Sequence, residues 1–449
     1  MTVSEQQHVK PARHMRWSVV MTAAIKVGSA GLTFLMFVFL ARVLEPDAYG
    51  QFATMFSLGS FLGFFVLLGQ HTRAIKRLSG WIEDRALGLV RGLIVQSLSL
   101  VAVAAMVLAI CVGIAVVVLL ALDRQDAVQM LLGALPFVLP FALSELCAAM
   151  FRAQGSITLA LLPRDIVWRV MVVALCVPLA GQLPYLQDVG ALTTMLILSG
   201  VLLVLTIAQG LVLAWRLPRG VWATPSEDLP RAFWADSAWL WTASLVGIMA
   251  GHLSVVFTSF NLSDAETGAF FAAGKIALLL QLPLVAVTLV AGPMLARDFA
   301  KSDMAAMQNT CRTMMPLLAG ASLVGMIIVC AAPGRLLSLF DPSFAVAVPA
   351  LIVLTLTQLI AALCGAGTLV MIMSDNERTQ TLVVGASELF GLLLIFVLAP
   401  VLGLLGAAIA ALIGRTLGKV IAALFCFRRL GIDTTVFCLL HPPKGRSHD

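Results

Sequence analysis

The chain has 449 residues, of which 60% are hydrophobic and only 12% charged, with a mean hydropathy of +1.01. That balance excludes a soluble globular domain and leaves a membrane protein, because too few polar residues remain to cover a water-facing surface. The formal net charge of +6 calls for no nucleic acid, since basic loops beside anionic lipid account for it.

A hydrocarbon core of roughly 30 Å takes about 20 helical residues to cross. Apolar runs of that length recur along nearly the whole chain, continuous and without period-two alternation, which predicts helices and excludes a barrel. About twelve spans are expected, near 17–40, 51–69, 93–121, 129–151, 157–180, 189–214, 236–258, 268–296, 313–332, 346–371, 379–400 and 404–427. The first run is too long for the apolar part of a signal peptide and lacks a small-x-small pattern before Arg42, so no cleavage is expected. Lys10, Arg13 and Arg16 precede it, which puts the N-terminus in the cytoplasm. On that topology about twenty basic residues fall in inner segments and only Arg42, Arg124 and Arg335 in outer ones, with both termini inside.

After the first span comes "ARVLEPDAYGQF" (41–52), and a relative of it, "NLSDAETGAFF" (261–271), returns after the seventh. Leu44, Gly50 and Phe52 recur as Leu262, Gly268 and Phe270 at identical spacing, with Asp47 and Asp264 between. The Pro or Asp is expected to end a helix and the Gly to permit a tight reversal, so Glu45, Pro46, Tyr49 and Gly50 read as architecture. The recurrence implies two six-span copies offset by about 218 residues. "FRAQGSITLALLPRDIVWRVMVV" from Phe151 matches "MIMSDNERTQTLVVGASELFGLL" from Met371 more weakly, as Gly190-Ala191 matches Gly406-Ala407. Six is even, so the repeat is parallel. The expected organisation is all-α: an N-lobe (1–214), a cytoplasmic linker (215–235), a C-lobe (236–429) and a cytoplasmic tail (430–449), the lobes flanking a central cavity.

Six basic residues fall within the spans: Lys26, Arg164, Arg169, Lys275, Arg415 and Lys419. Each would cost roughly 2.5–3.5 kcal/mol at the centre of an inserted helix, so they are expected to face protein or a wet cavity. Glu145, Asp165 and Glu388, with Asp236 at a span edge, oppose them and leave the interior cationic, which suits an anionic head group. Lys26 and Lys275 rank first as substrate contacts, being too deep for easy snorkelling and without an acid three or four positions away. Arg164, Arg169 and Arg415 follow; Asp165 and Arg169, spaced i, i+4, suit an ion pair as well as a substrate contact. Lys419 lies about eight residues from the cytoplasmic end, within reach of snorkelling, and Gly414 with Gly418 forms a packing pair. His252, Glu145 and Glu388 are candidates for coupling to protons, each also explicable as packing or charge balance. Pro136, Pro140, Pro283 and Pro293 mark places where helices can bend. Eight cysteines stand singly, with no CxxC and no paired histidines, so neither disulfides nor a metal site is expected. No nucleotide-binding loop and no cofactor motif is visible.

The order of "ARVLEPDAYGQF", "LLGQHTRAIKRLSG", "AETGAFFAAGKIALLLQLPL", "AGPMLARDF" and "FDPSFAVAVPALIVLTLTQL" before "SDNERT" resembles the polysaccharide-transporter branch of the multidrug/oligosaccharidyl-lipid/polysaccharide (MOP) exporter superfamily. A parallel repeat also fits the major facilitator superfamily, but its Gly-x-x-x-Asp-Arg loop is missing from "GQHTRAIKRLSG". The resemblance implies a flippase of the bacterial inner membrane that carries a polyprenyl-diphosphate-linked glycan for O-antigen or exopolysaccharide synthesis, beside a polymerase and other assembly proteins. It also implies cations on the first and eighth helices, helix by helix, as Lys26 and Lys275 provide. The alternatives are a cation-coupled drug antiporter of the same superfamily, which would favour acidic cavity residues, and a glycan polymerase or ligase. Such an enzyme would need a large external loop, where every outer loop here is short.

Overall fold

A computed structural model describes residues 28–181, 190–218, 220–228 and 237–440. Among these residues all regular structure is helical, and each of the twelve expected stretches is helical over most of its described part. Eight described helices are long and apolar enough to cross a membrane, or nine when one bent pair is counted as a span. The remainder are a short first helix, one stretch broken into pieces, and a hairpin that runs as a single helix by hydrogen bonding. The chain divides into two compact units, Leu32–Phe271 and a second running from Ala272 onward with residues 28–31.

The first unit begins on α1 (Gly28–Val43), α2 (Pro46–Val66) and α3 (Gln70–Glu83), the last two bent by 47° where Gly69 adopts φ 74. It continues through α4 (Leu87–Ala121), α5 (Gln125–Ala153), α6 (Ile157–Leu162), a π segment (Pro163–Val167), α7 (Trp168–Gly181), α8 (Ala191–Arg216), α9 (Gly220–Ala223) and α10 (Ser237–Ser259), into the start of α11 (Asp264–Leu278). The hub is α5, which packs against α2, α3, α4 and α8. Its approach to α2 is set by Gly59 and Gly63, one turn apart: a Cβ there would lie 2.9 Å from the Ala134 carbonyl oxygen and 2.6 Å from the Phe141 ring. In contrast, α4 turns Val103, Met106, Ile110, Ile114 and Val117 outward, an apolar face suited to lipid. At 1.5 Å per residue its 35 residues extend about 52 Å, longer than the hydrocarbon thickness, as the over-long run before Asp123 implies.

Residues 220–228 of the expected linker run along the start of α4. Arg91 donates to the carbonyls of Trp222 and Thr224 at 2.9 and 2.7 Å, and the Glu227 amide donates to Gly88 at 3.2 Å. Gly92 makes room for this strap, since a Cβ on it would sit 2.2 Å from the Glu227 carbonyl oxygen.

The twin motifs correct the turn expected at Gly50 and Gly268. The chain reverses earlier, at Leu44 and Glu45; Pro46 opens α2 instead of closing α1, and both glycines are helical. Pro suits that first turn because its missing N–H would have had no helical partner. What the glycines permit is contact between the two motifs. A Cβ on Gly50 would lie 1.7 Å from the Asp264 carbonyl oxygen, and one on Gly268 would lie 3.1 Å from the Gly50 nitrogen. Asp47 accepts from the Ala265 amide at 3.1 Å, and Gln51 donates to the Asp264 carboxylate at 2.9 Å. The repeated sequence is thus a helix-to-helix junction, sealed beneath by Phe37, Tyr49, Phe52 and Phe271.

The second unit takes the end of α11, a 3-10 turn (Leu279–Gln281), α12 (Leu282–Ala300), α13 (Met304–Ala331), α14 (Pro333–Ser338), α15 (Val348–Leu363), α16 (Gly367–Met373) and α17 (Glu377–Phe425). Pro283 lies in the first turn of α12 directly after the 3-10 break, whereas Pro136, Pro140 and Pro293 sit inside continuous helices. Within α17, Gly403 has φ 58 and ψ −138, and the two arms fold back on each other. A Cβ on Gly414 would meet Gly391 Cα at 2.8 Å, one on Gly418 would meet Ser387 Cβ at 3.3 Å, and one on Gly406 would meet the Leu398 carbonyl oxygen at 2.1 Å. These pairs are centred on the kink, so Gly414 and Gly418 are packing glycines as their spacing implies. The expected tail also packs over its described part. Gln308 exchanges two hydrogen bonds with the Asp433 backbone at 2.9 and 2.7 Å, and Thr434 donates to the Cys364 carbonyl at 3.2 Å.

Candidate functional site

The first unit gathers charge where α5 ends and the next span begins. Glu145, 7% exposed, pairs with Arg164 and lies 3.7 Å from Arg152. Arg164 also donates to Asp165 at 3.2 Å, and Arg169 lies 3.8 Å from the same carboxylate while donating to the Asp165 carbonyl. Three guanidinium groups thus meet two carboxylates, and the i, i+4 spacing of Asp165 and Arg169 forms an ion pair in the folded chain.

Local sequence builds this arrangement. Pro163 has no N–H to return to the Leu159 carbonyl, and the chain widens into a π turn at Pro163–Val167. The orphaned carbonyl accepts from the Gln209 side chain on α8 at 2.7 Å, and Trp168 Nε1 donates to the Leu198 carbonyl at 3.0 Å. Both anchors fix the turn that carries Arg164 and Asp165 against α5. Two donors nearby are buried with no hydrogen-bond acceptor in the protein, Arg152 Nε and Gln154 Nε2.

In the second unit the folded arms of α17 bring Arg415 to 4.0 Å from Glu388. Lys419, one turn further along the same arm, donates to Thr368 on α16 at 3.3 Å. This corrects the snorkelling expectation: the helical course continues to Leu430, and the ammonium turns toward a hydroxyl on a neighbouring helix. Lys275 lies half-buried on α11, and the Gln281 and Gln358 side chains join at 2.8 Å. His252 on α10 lies beside Phe56, ring centroids 6.4 Å apart, within the first unit. Lys26 lies outside the described residues.

Arg152, a member of the site, and Arg73, buried on α3, are both charges that a topology reading takes for loop residues. Arg152 shares a face of α5 with Glu145 seven positions earlier, a spacing visible in the sequence. Arg73 is only 2% exposed and donates to Gln70 at 3.3 Å, which also accepts from Ser97 at 3.2 Å. Its burial follows from α3 extending the second span after the bend, which residue spacing alone does not reveal. Among the described residues no group of three His, Cys, Asp or Glu side chains is placed to hold a metal ion.

No protein-family model matches the chain, and no curated protein matches it in sequence. Solved structures do match in fold. An inward-facing multidrug-resistance MATE family transporter of the MOP superfamily aligns with a TM-score of 0.68 at 13% identity, over 90% of this chain and 94% of its own. A MOP superfamily transporter from Pyrococcus furiosus aligns with a TM-score of 0.61 at 13% identity, over 92% and 95%. A Vibrio cholerae MATE transporter aligns at 0.55 and 16% identity, over 92% and 94%. The chain therefore shares the all-α fold of these MATE transporters.

Proposed function

We propose that the protein exports a polyprenyl-diphosphate-linked oligosaccharide across the bacterial inner membrane by alternating access, for O-antigen or exopolysaccharide synthesis. Its partners are then the lipid-linked glycan, the bilayer, and the polymerase and assembly proteins that use the same glycan. One observation carries this reading: the basic surplus inside the helices. Arg152, Arg164 and Arg169 meet Glu145 and Asp165 in one unit, and Arg415 and Lys419 flank Glu388 in the other, with Lys275 adding a further cation. Charge so costly in a membrane is kept for a purpose, and a diphosphate is its natural complement. Lys26, Lys275, Arg164, Arg169 and Arg415 are the proposed contacts, with His252, Glu145 and Glu388 as coupling groups.

Likeness to multidrug transporters favours a second reading, a cation-coupled drug antiporter. A cationic drug would be repelled by this interior, and the Pyrococcus furiosus relative is itself described as having a binding pocket of reversed polarity that suggests a different function. The test is a Lys26→Ala, Lys275→Ala double variant in cells whose surface glycan can be blotted. Export should fall at least tenfold at unchanged protein abundance; full export at normal abundance would overturn the anionic-cargo reading.

The proposed orientation, with both termini cytoplasmic, has its own check. A cysteine in place of exposed Ser226 should resist an impermeant thiol reagent in intact cells, while one in place of exposed Asp123 should react. The opposite pattern would invert the topology.

A further inference from the structure

The first unit holds a cavity of about 610 Å³ at the end of α5 remote from the arginine cluster. Asp126, Gln129 and Met130 line it, and at 1.5 Å per residue Glu145 lies about 22 Å further along the same helix. The cavity and the guanidinium groups therefore occupy opposite ends of one helix. On the proposed topology the cavity opens on the outer face.

Its chemistry differs from that of the cluster. Three carboxylates, Asp123, Asp126 and Asp264, face a single guanidinium, Arg124. Gln51 and Gln129 add amides that both donate and accept, Thr54 and Ser259 add hydroxyls, and the Phe260 ring, 56% exposed, adds a flat apolar surface. Gln51 spends one amide hydrogen on Asp264 at 2.9 Å, which fixes that carboxylate in the wall and leaves its second oxygen and the Gln51 carbonyl for a ligand. The carboxylates do not converge as metal ligands do. An anion would be repelled, and an aromatic cage for an organic cation would need more than one ring.

We propose that this cavity is a binding site for the neutral sugar residues of a glycan, engaging their hydroxyls through the carboxylates and amides and one pyranose face through Phe260. A lining that mixes donors and acceptors beside an apolar ring matches a polyol, and the volume lies within the usual range of roughly 300–1,000 Å³ for small-molecule sites. The assignment deepens the proposed function and rests on it for the origin of the glycan. Under that reading the two ends of the first unit divide the cargo: guanidinium groups hold diphosphate at the entry end, and the acidic exit end accepts sugar while repelling the diphosphate from re-entry.

The test is saturation-transfer NMR on the full chain in nanodiscs, with maltotriose, mannotriose and galactotriose as separate probes. At least one trisaccharide should receive saturation, and the signal should fall at least fivefold in Ala127→Trp, which fills the cavity from a half-buried wall position. Gln129→Ala, at an exposed position, should weaken the same signal, and it decides the matter if the Trp variant melts abnormally. No saturation of any of the three sugars, saturation undiminished in the cavity variants, or binding of tetraphenylphosphonium in place of sugar would each overturn the proposal. Sugar binding alongside full export by the Lys26→Ala, Lys275→Ala variant would remove the transport reading and leave the cavity; export loss in that variant without sugar binding would do the reverse.

Discussion

Glu145→Ala should accumulate poorly and melt early, because it strips the carboxylate from beneath Arg164 and Arg152 and leaves three guanidinium groups against the single carboxylate of Asp165. Breaking one side of a buried ion pair costs about 3–5 kcal/mol, a large share of the stability of most proteins. Replacing both partners behaves differently. A Glu145→Met, Arg164→Met variant removes two desolvated charges together and should recover much of the lost abundance and melting temperature in detergent. Asp165 and Arg169 still balance each other in that variant, and Arg152, a third of its side chain exposed, can turn toward water. Export then separates structure from function. If Arg164 holds cargo, the double variant is stable and inactive, with surface glycan at least tenfold down. Recovered export in the stable double variant would confine the pair to a structural role.

How much of this site could be read in advance depended on whether both partners lay on one helix. Asp165 and Arg169 announce their pair by spacing, and Gly414 with Gly418 announces a close helix contact, here supplied by Gly391 and Ser387. Glu145 and Arg152 were equally legible on α5, but a residue at a span end reads first as a topology signal, and that reading hid the interaction. Arg164 reaching Glu145 across nineteen positions, or Lys419 reaching Thr368 across fifty-one, depends on packing between helices that periodicity does not encode. The π turn was half legible: Pro163 predicts an orphaned Leu159 carbonyl, but not that Gln209 would supply its donor.

The twin motifs show the same limit at the level of the fold. Repetition at a fixed offset implied a duplicated architecture, and the local rule that Gly follows a turn assigned both glycines the wrong reason. Their reason lies in one another's surroundings, more than two hundred positions apart in the chain.

Substitution at Gly50 should therefore be among the most damaging apolar changes in the chain, and the distances predict an order. A Cβ on Gly50 would come within 1.7 Å of the Asp264 carbonyl oxygen, which belongs to backbone and cannot rotate aside; on Gly268 the nearest atom stands 3.1 Å away. Gly50→Ala must push α2 from the start of α11 and disturb the Asp47 to Ala265 and Gln51 to Asp264 hydrogen bonds that bridge the junction. Overpacking of this kind typically costs about 1–3 kcal/mol and can cost more when backbone must shift. Gly268→Ala should cost less, since a few tenths of an ångström suffice, and Gly50→Leu should cost most of the three. Gly113 on α4 supplies the control: it is exposed, and a Cβ on it would meet nothing within 4 Å, so Gly113→Leu should be neutral or stabilising by up to about 1 kcal/mol through helix propensity. Melting of the four variants in detergent, followed by size-exclusion chromatography, reads the order directly. A Gly50→Leu protein that melts with the wild type would mean that the two helix starts do not approach this closely, and would remove the junction as the reason the motif is repeated.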